Sequence, residues 1–358
     1  MHITLNYMVV LYISLIVILP LLLLVESKTF KFNTYNSNYL AKNNTDILKG
    51  LSVVIIIFHH LSLFLTNGGI YKTVISKVGF LAVSIFLFVS GYGLMVQFAR
   101  KKNEYFKGYF KNKILKLYLV FFFSNIICTI LSNVILNAQY NFVDIIKSSL
   151  LMNFADGRVL WFVAVILYFY IAFYIAFKFF KNNTAVIVIF ISWILWIGLN
   201  IALHHGAWYY NSAISFPVGI IFGKYADQIF AFAKKYYLIL TSGSLILFLL
   251  SMAAYIKGID KLQFIIPILF TFVIVLLLMK VSLKSRFFNF MNGISFEFYL
   301  FQILALNIVF QTDNKTSSLY FFLAFLITVV LSKILNVFIG FIFNFIPKRL
   351  MKEDRLEV

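Results

Sequence analysis

The sequence predicts an all-α fold, a polytopic integral membrane bundle of about eleven helices, and three observations carry that prediction. Of 358 residues, 62% are hydrophobic and only 12% charged, with a mean hydropathy of +0.95. A soluble domain carries about twice that charged fraction. Apolar runs near the ~20 residues needed to cross a bilayer recur from end to end, and the basic residues fall between them on alternate sides.

The runs follow in order. The first, 5–25, lacks the basic leader and small-residue cleavage site of a secretory signal and reads as a retained span. Next come 48–66, 78–98, 114–136, 159–180 and 184–203. A shorter run, 213–223, is bounded by Pro217 and Gly223, and 236–256, 262–280, 294–311 and 319–346 complete the set. The domain organisation expected is an N-terminal helix with a linker over 1–45, a membrane domain over 46–346 and a charged tail over 347–358. Gly91 and Gly93 read as helix-packing positions, where small side chains let backbones approach.

The net charge of +19 has a topological origin. With alternating loops, 23 Lys and Arg collect on one side and 7 on the other, while Lys333 falls inside a run. Basic residues favour cytoplasmic loops, so the N-terminus is expected outside and the C-terminus in the cytoplasm. No nucleic-acid partner is implied. The single cysteine, Cys128, leaves no disulfide and no cysteine metal site, and no metal is expected. Only five of the 31 basic residues are arginine, beside 44 Phe and 4 Pro, which marks a compositional bias towards lysine. No Walker A loop, GxGxxG, GxSxG or HExxH is present, so chemistry must come from residues in or beside the spans.

One run stands out: "DILKGLSVVIIIFHH", residues 46–60. Ionisable groups are costly in hydrocarbon and usually functional there. Lys49 and His60 are eleven residues apart, about three turns plus 20°, with a rise of roughly 16 Å. One helix face thus offers a cation at the cytoplasmic surface and an imidazole near mid-membrane. Asp46 is close enough on the wheel to orient Lys49, whereas His59, about 80° away, is expected to point elsewhere. A neutral imidazole accepts a proton near neutral pH, which makes His60 a candidate general base. At the start of the fourth run, Lys113 and Lys116 share a face at i and i+3. They read either as ordinary juxtamembrane charge touching lipid headgroups or, with Lys49, as a site for a polyanionic cofactor rich in phosphate.

The Lys49–x10–His60 spacing resembles the Arg–x10–His motif of the acyltransferase-3 family, membrane O-acyltransferases of surface polysaccharides. Other segments are similar in the same order: "SIFLFVSGYGLM" (84–95), "FKNKILKLY" (110–118), "LWFVAVILYFY" (160–170), "FPVGIIFG" (216–223) and "ISFEFYLFQ" (294–302). The resemblance covers roughly residues 46–345, ten helices preceded by one N-terminal extra. Lysine replaces the family's arginine at 49, 113 and 116, Gln302 stands where a histidine is common, and Ile166 and Leu167 stand where many members have acids. Lysine lacks arginine's bidentate fork.

What the resemblance implies is an enzyme transferring acyl groups other than amino-acyl ones. An acetyl group would pass from cytoplasmic acetyl-CoA to a hydroxyl of a cell-surface or exported polysaccharide. Lys49, Lys113 and Lys116 would hold the donor, with Asp46 orienting Lys49, and His60 would act as base or carry the acyl group. Glu297 reads either as a substitute catalytic carboxylate or as the ion-pair partner of Lys333. Trp208 and Tyr209, in "LHHGAWYYN", read either as a stacking surface for sugar rings or as interfacial anchors. No hydrolase-like domain of the kind some members use for the final transfer is expected, so a partner protein enters the reading. A polysaccharide or lipid-linked glycan transporter is the alternative, which eleven spans and intramembrane charges also suit.

Overall fold

The computed structural model describes residues 5–65, 69–151, 161–310 and 318–345. Arg158, Lys315 and the charged tail at 347–358 lie outside the described residues. The chain starts with helix α1 (Leu5–Ile13), which passes through a π-helical turn, Ser14–Ile18, into α2 (Leu19–Leu24). A linker over 25–41 follows and pairs strand β1 (Lys28–Thr29) antiparallel with β2 (Val281–Ser282). Lys280 tightens this clip by donating to the carbonyls of Lys31 at 3.1 Å and Thr34 at 2.7 Å.

The rest is helical. Next come α3 (Lys42–Phe64), the short α4 (Gly69–Ile75), α5 (Gly79–Lys101), α6 (Lys116–Leu136), α7 (Phe142–Ser149), α8 (Trp161–Phe179) and α9 (Asn182–Ala202). After them are α10 (Ser215–Lys224), α11 (Ala226–Lys235), α12 (Tyr237–Ile256), α13 (Ile266–Leu278), α14 (Arg286–Gly293), α15 (Ser295–Phe310) and α16 (Ser318–Phe345). Local chemistry sets several boundaries. Asn141 and Asp144 close a reciprocal capping box on α7. Ser285 caps α14 by accepting from the Phe288 N–H, and Pro267 occupies the first turn of α13, where its missing N–H costs nothing.

All eleven apolar runs lie on helices, but not as eleven equal spans. Among the described residues, seven helices are long and apolar enough to cross a bilayer, or eight if α14 and α15, bent by 81° at their junction, form one broken span. Val9–Leu24, Ile266–Leu278 and the ten-residue α10 are shorter. A hydropathy run does not register the breaks that shorten helices: a 3₁₀ turn at Asp260–Phe264 takes the first residues of the run at 262–280.

Glycine places the short α10 inside the bundle. A Cβ on Gly91 of α5 would collide with the Phe216 carbonyl, and one on Gly219 of α10 with the Phe88 carbonyl, so the two backbones touch. The expectation for Gly93 does not hold, since nothing lies within 4 Å of where its Cβ would be. Gly50 brings α3 against the Phe288 carbonyl of α14 in the same way. The apolar windows of α3 and α12 are 67% and 11% buried, which makes α3 the central post and α12 a peripheral helix. Buried hydroxyls such as Thr328 bond back to carbonyls four residues earlier, so they cross the apolar layer satisfied.

Candidate active site

At the first end of α3 the Asp46 carboxylate is shared between two lysines. Lys42 Nζ meets one oxygen at 2.8 Å and Lys49 Nζ the other at 2.9 Å. Lys113 lies within the fields of Lys49, Lys116 and Lys101 and pairs with no carboxylate among the described residues. The three lysines grouped from sequence therefore meet at one end of the bundle. Lys116 also stands 5.8 Å over the Phe343 ring.

Glu297 belongs to this end. Its Oε1 accepts from Asn336 Nδ2 at 2.8 Å across α15 and α16, and Lys116 contributes to its field. Pairing with Lys333 is not what forms, because Lys333 lies exposed on the outer side of α16. Nor does Glu297 approach His60, which Gln302 adjoins about 7–8 Å further along α15 by helical rise.

His60 lies at the far end of α3, 5% exposed and turned into the protein. The Gln302 carboxamide adjoins its ring. Gln302 Nε2 donates to the Tyr299 carbonyl at 3.1 Å, while His60 Nδ1 and Gln302 Oε1 have no hydrogen-bond partner. Leaving a buried polar atom unsatisfied costs about 1–3 kcal/mol, and such atoms in a folded protein call for an explanation. Lys49 lies within the field of Lys113, just before α6, and His60 adjoins Gln302 of α15, a helix that packs on both α3 and α6.

His60 borders a cavity of about 820 Å³. Its walls include Trp161, Trp208, Tyr209, Tyr255 and Tyr299, with Ser76, Asn211, Asp260 and Gln263 as polar groups. Trp208 and Tyr209 thus share one chamber with His60. The Tyr209 carbonyl accepts from Trp196 Nε1 at 2.9 Å, and its ring stacks on His205 at 4.3 Å. Trp208 is 58% exposed, free to meet a ligand face. Asn211 reaches Gln263 at 3.4 Å and bonds Ser212 Oγ at 3.0 Å, which ties the 203–211 turn to the loop before α13.

His59 departs from its expected direction. It lines the same cavity, its ring centroid 5.2 Å from that of His60, with Nδ1 3.0 Å from the Ile75 carbonyl. Adjacent residues differ by about 100° around a helix, and this chamber is wide enough to take both. Sequence reading also missed Asp260 and Gln263, which sit about 200 residues from α3 in the 3₁₀ turn before α13, a stretch without any motif. Trp161 and Asn211 fell inside quoted segments and had a signal.

A buried imidazole on a chamber of this kind, a lysine cluster at the other end of its helix and a bundle of apolar helices define a multi-pass membrane enzyme class. A family model described as an acyltransferase domain matches residues 42–337. The chain belongs to this family, acyltransferase-3, and is a membrane acyltransferase. Comparisons with curated proteins and with solved structures give no match.

Proposed function

We propose that this protein moves an acetyl group from acetyl-CoA to a hydroxyl of a cell-surface or exported polysaccharide, with the lysine end of α3 in the cytoplasm and the His60 chamber towards the outside. The observation that carries the reading is buried His60, whose Nδ1 has no hydrogen-bond partner and which is among the residues lining an aromatic chamber, on the helix that also carries Lys49.

The lysine end suits a phosphate-rich donor. Among the described residues Lys113 lies in the field of three other ammonium groups and pairs with no carboxylate, a repulsion that an added polyanion relieves. Lys49, Lys113 and Lys116 would hold the phosphates, Asp46 would fix the direction of Lys49, and Glu297 would steady Lys116. The donor supplies an acyl group already activated as a thioester. At the other end Trp208 and Tyr209 offer flat faces to a sugar, and His60 takes the proton from its hydroxyl as the oxygen bonds the acyl carbon and the C–S bond breaks, then returns that proton to the departing thiolate. Dry surroundings strengthen each of these polar contacts. Handing the ester to polymer beyond the membrane would fall to a partner protein.

The test is NMR of the surface polysaccharide from cells with the protein, without it, and with His60→Ala. Ester-linked acyl signals present only with the parent protein support the reading. Polymer export lost in the variant, with esters retained, would overturn it in favour of a glycan transporter. Incubation with donor alone, followed by mass analysis of the α3 peptide, separates a proton-accepting His60 from one that carries the acyl group.

A further inference from the structure

We propose that His59 selects which hydroxyl of the acceptor is acylated, by accepting a hydrogen bond from the neighbouring hydroxyl; this rests on the acyl-transfer reading above. The inference starts from a tautomer. A backbone carbonyl only accepts, so the contact of 3.0 Å between His59 Nδ1 and the Ile75 oxygen places the ring proton on Nδ1. Nε2 is left as a bare acceptor.

The surroundings keep that acceptor available. The ring edge carrying Cδ2 and Nε2 lies over Gly79, and a Cβ there would come within 2.6 Å of Nε2. The missing side chain makes room for this edge of the ring, and His59 and Gly79 both line the cavity. Among the described residues no protein group donates to Nε2.

The two adjacent imidazoles are therefore not equivalent. His59 is locked in one tautomer by the end of α4 and accepts at a fixed point. His60 has an unclaimed Nδ1 and the Gln302 carboxamide beside it. With their centroids 5.2 Å apart, the rings suit two hydroxyls on adjacent carbons of a sugar ring. One is held by His59 while the other gives its proton to His60. A sugar turned to present another hydroxyl to His60 loses the first contact, which converts a hydrogen bond into positional selectivity.

Two variants divide the ring's functions. In His59→Asn the amide N–H stands where Nδ1–H was and keeps the Ile75 contact, but nothing replaces Nε2. In His59→Gln the longer amide reaches the Nε2 position. NMR of polysaccharide from cells carrying each full-length protein, at matched membrane abundance, reads both the position and the amount of ester. His59→Asn is expected to spread esters over more than one hydroxyl with about a fivefold loss at the parental position, the size of one hydrogen bond, while His59→Gln retains the parental position. Parental position and amount in His59→Asn, or the same behaviour in both variants, would overturn the inference and leave the acyl-transfer reading intact. No ester with the parent protein would overturn both. Ring-¹⁵N spectra of the parent protein give an independent check, since a His59 proton on Nε2 would also overturn it.

Discussion

The Gln302 carboxamide adjoins the His60 ring and gives its own N–H back to the Tyr299 carbonyl, 3.1 Å away on the same helix. Gln302 is therefore oriented from behind, as groups beside a reactive imidazole commonly are. Gln302→Leu is expected to lower acyl transfer about tenfold with little change in membrane abundance, the loss of one buried polar contact worth ~1–2 kcal/mol. Gln302→His should keep most activity. His60→Ala should cost roughly 10²–10⁴-fold, the range for a general base. Ester content of polysaccharide at matched protein levels checks all three.

Asp46 divides its two oxygens between Lys42 and Lys49. If Lys49 holds donor phosphate, Lys49→Met raises the KM for acetyl-CoA by about ten- to a hundredfold, as expected for a hydrogen bond to a charged group. Asp46→Asn leaves the charge but frees the side chain, so its effect should be smaller. Both measurements belong in lipid nanodiscs, with free thiol released by the purified protein as the readout.

The glycine crossings make a prediction about folding alone. Gly219→Ala forces a methyl into the Phe88 carbonyl, and overpacking of this kind costs about 1–3 kcal/mol. Gly93 meets nothing, so Gly93→Ala should be neutral or stabilising by up to ~1 kcal/mol through helix propensity. Thermal unfolding of the detergent-solubilised variants by size-exclusion fluorescence should place them on opposite sides of the parent.

Trp208 and Tyr209 are neighbours with different duties. Trp208 is exposed on the chamber wall, whereas Tyr209 is 8% exposed and stacked on His205. Trp208→Ala should reduce polysaccharide esterification about tenfold, the loss of an aromatic face worth ~1.5 kcal/mol, and leave the KM for acetyl-CoA unchanged. Tyr209→Ala should lower thermal stability as well.

Much of this arrangement was legible in the chain because it depends on local spacing. Lys49 and His60 lie on one regular helix, so their relation follows from helical rise, and Lys113 with Lys116 follows from i,i+3 geometry. What escaped depended on contacts between distant segments. The Glu297–Asn336 bond joins α15 to α16, and its choice over Lys333 depends on how α16 turns about its axis, which a uniformly apolar helix does not specify. Asp260 and Gln263 reach the chamber through the packing of α12 and α13. His59 was misjudged because a helical wheel states an angle and not the breadth of the space opposite. Fewer helices than apolar runs are of spanning length among the described residues, seven or eight, because hydropathy averages across the breaks that turn long runs into short helices.

The clip at the lysine end has a consequence for biosynthesis. Lys280 holds the carbonyl of Lys31, 249 positions earlier in the chain, and β1 finds its partner only at Val281–Ser282. At translation rates of about 5–20 residues per second, the linker after the first helix emerges roughly 12–50 s before the strand that fastens it. Through that interval the first helix must stay in the bilayer on its own hydrophobicity, and assembly of this end of the bundle is completed from the C-terminal third backwards.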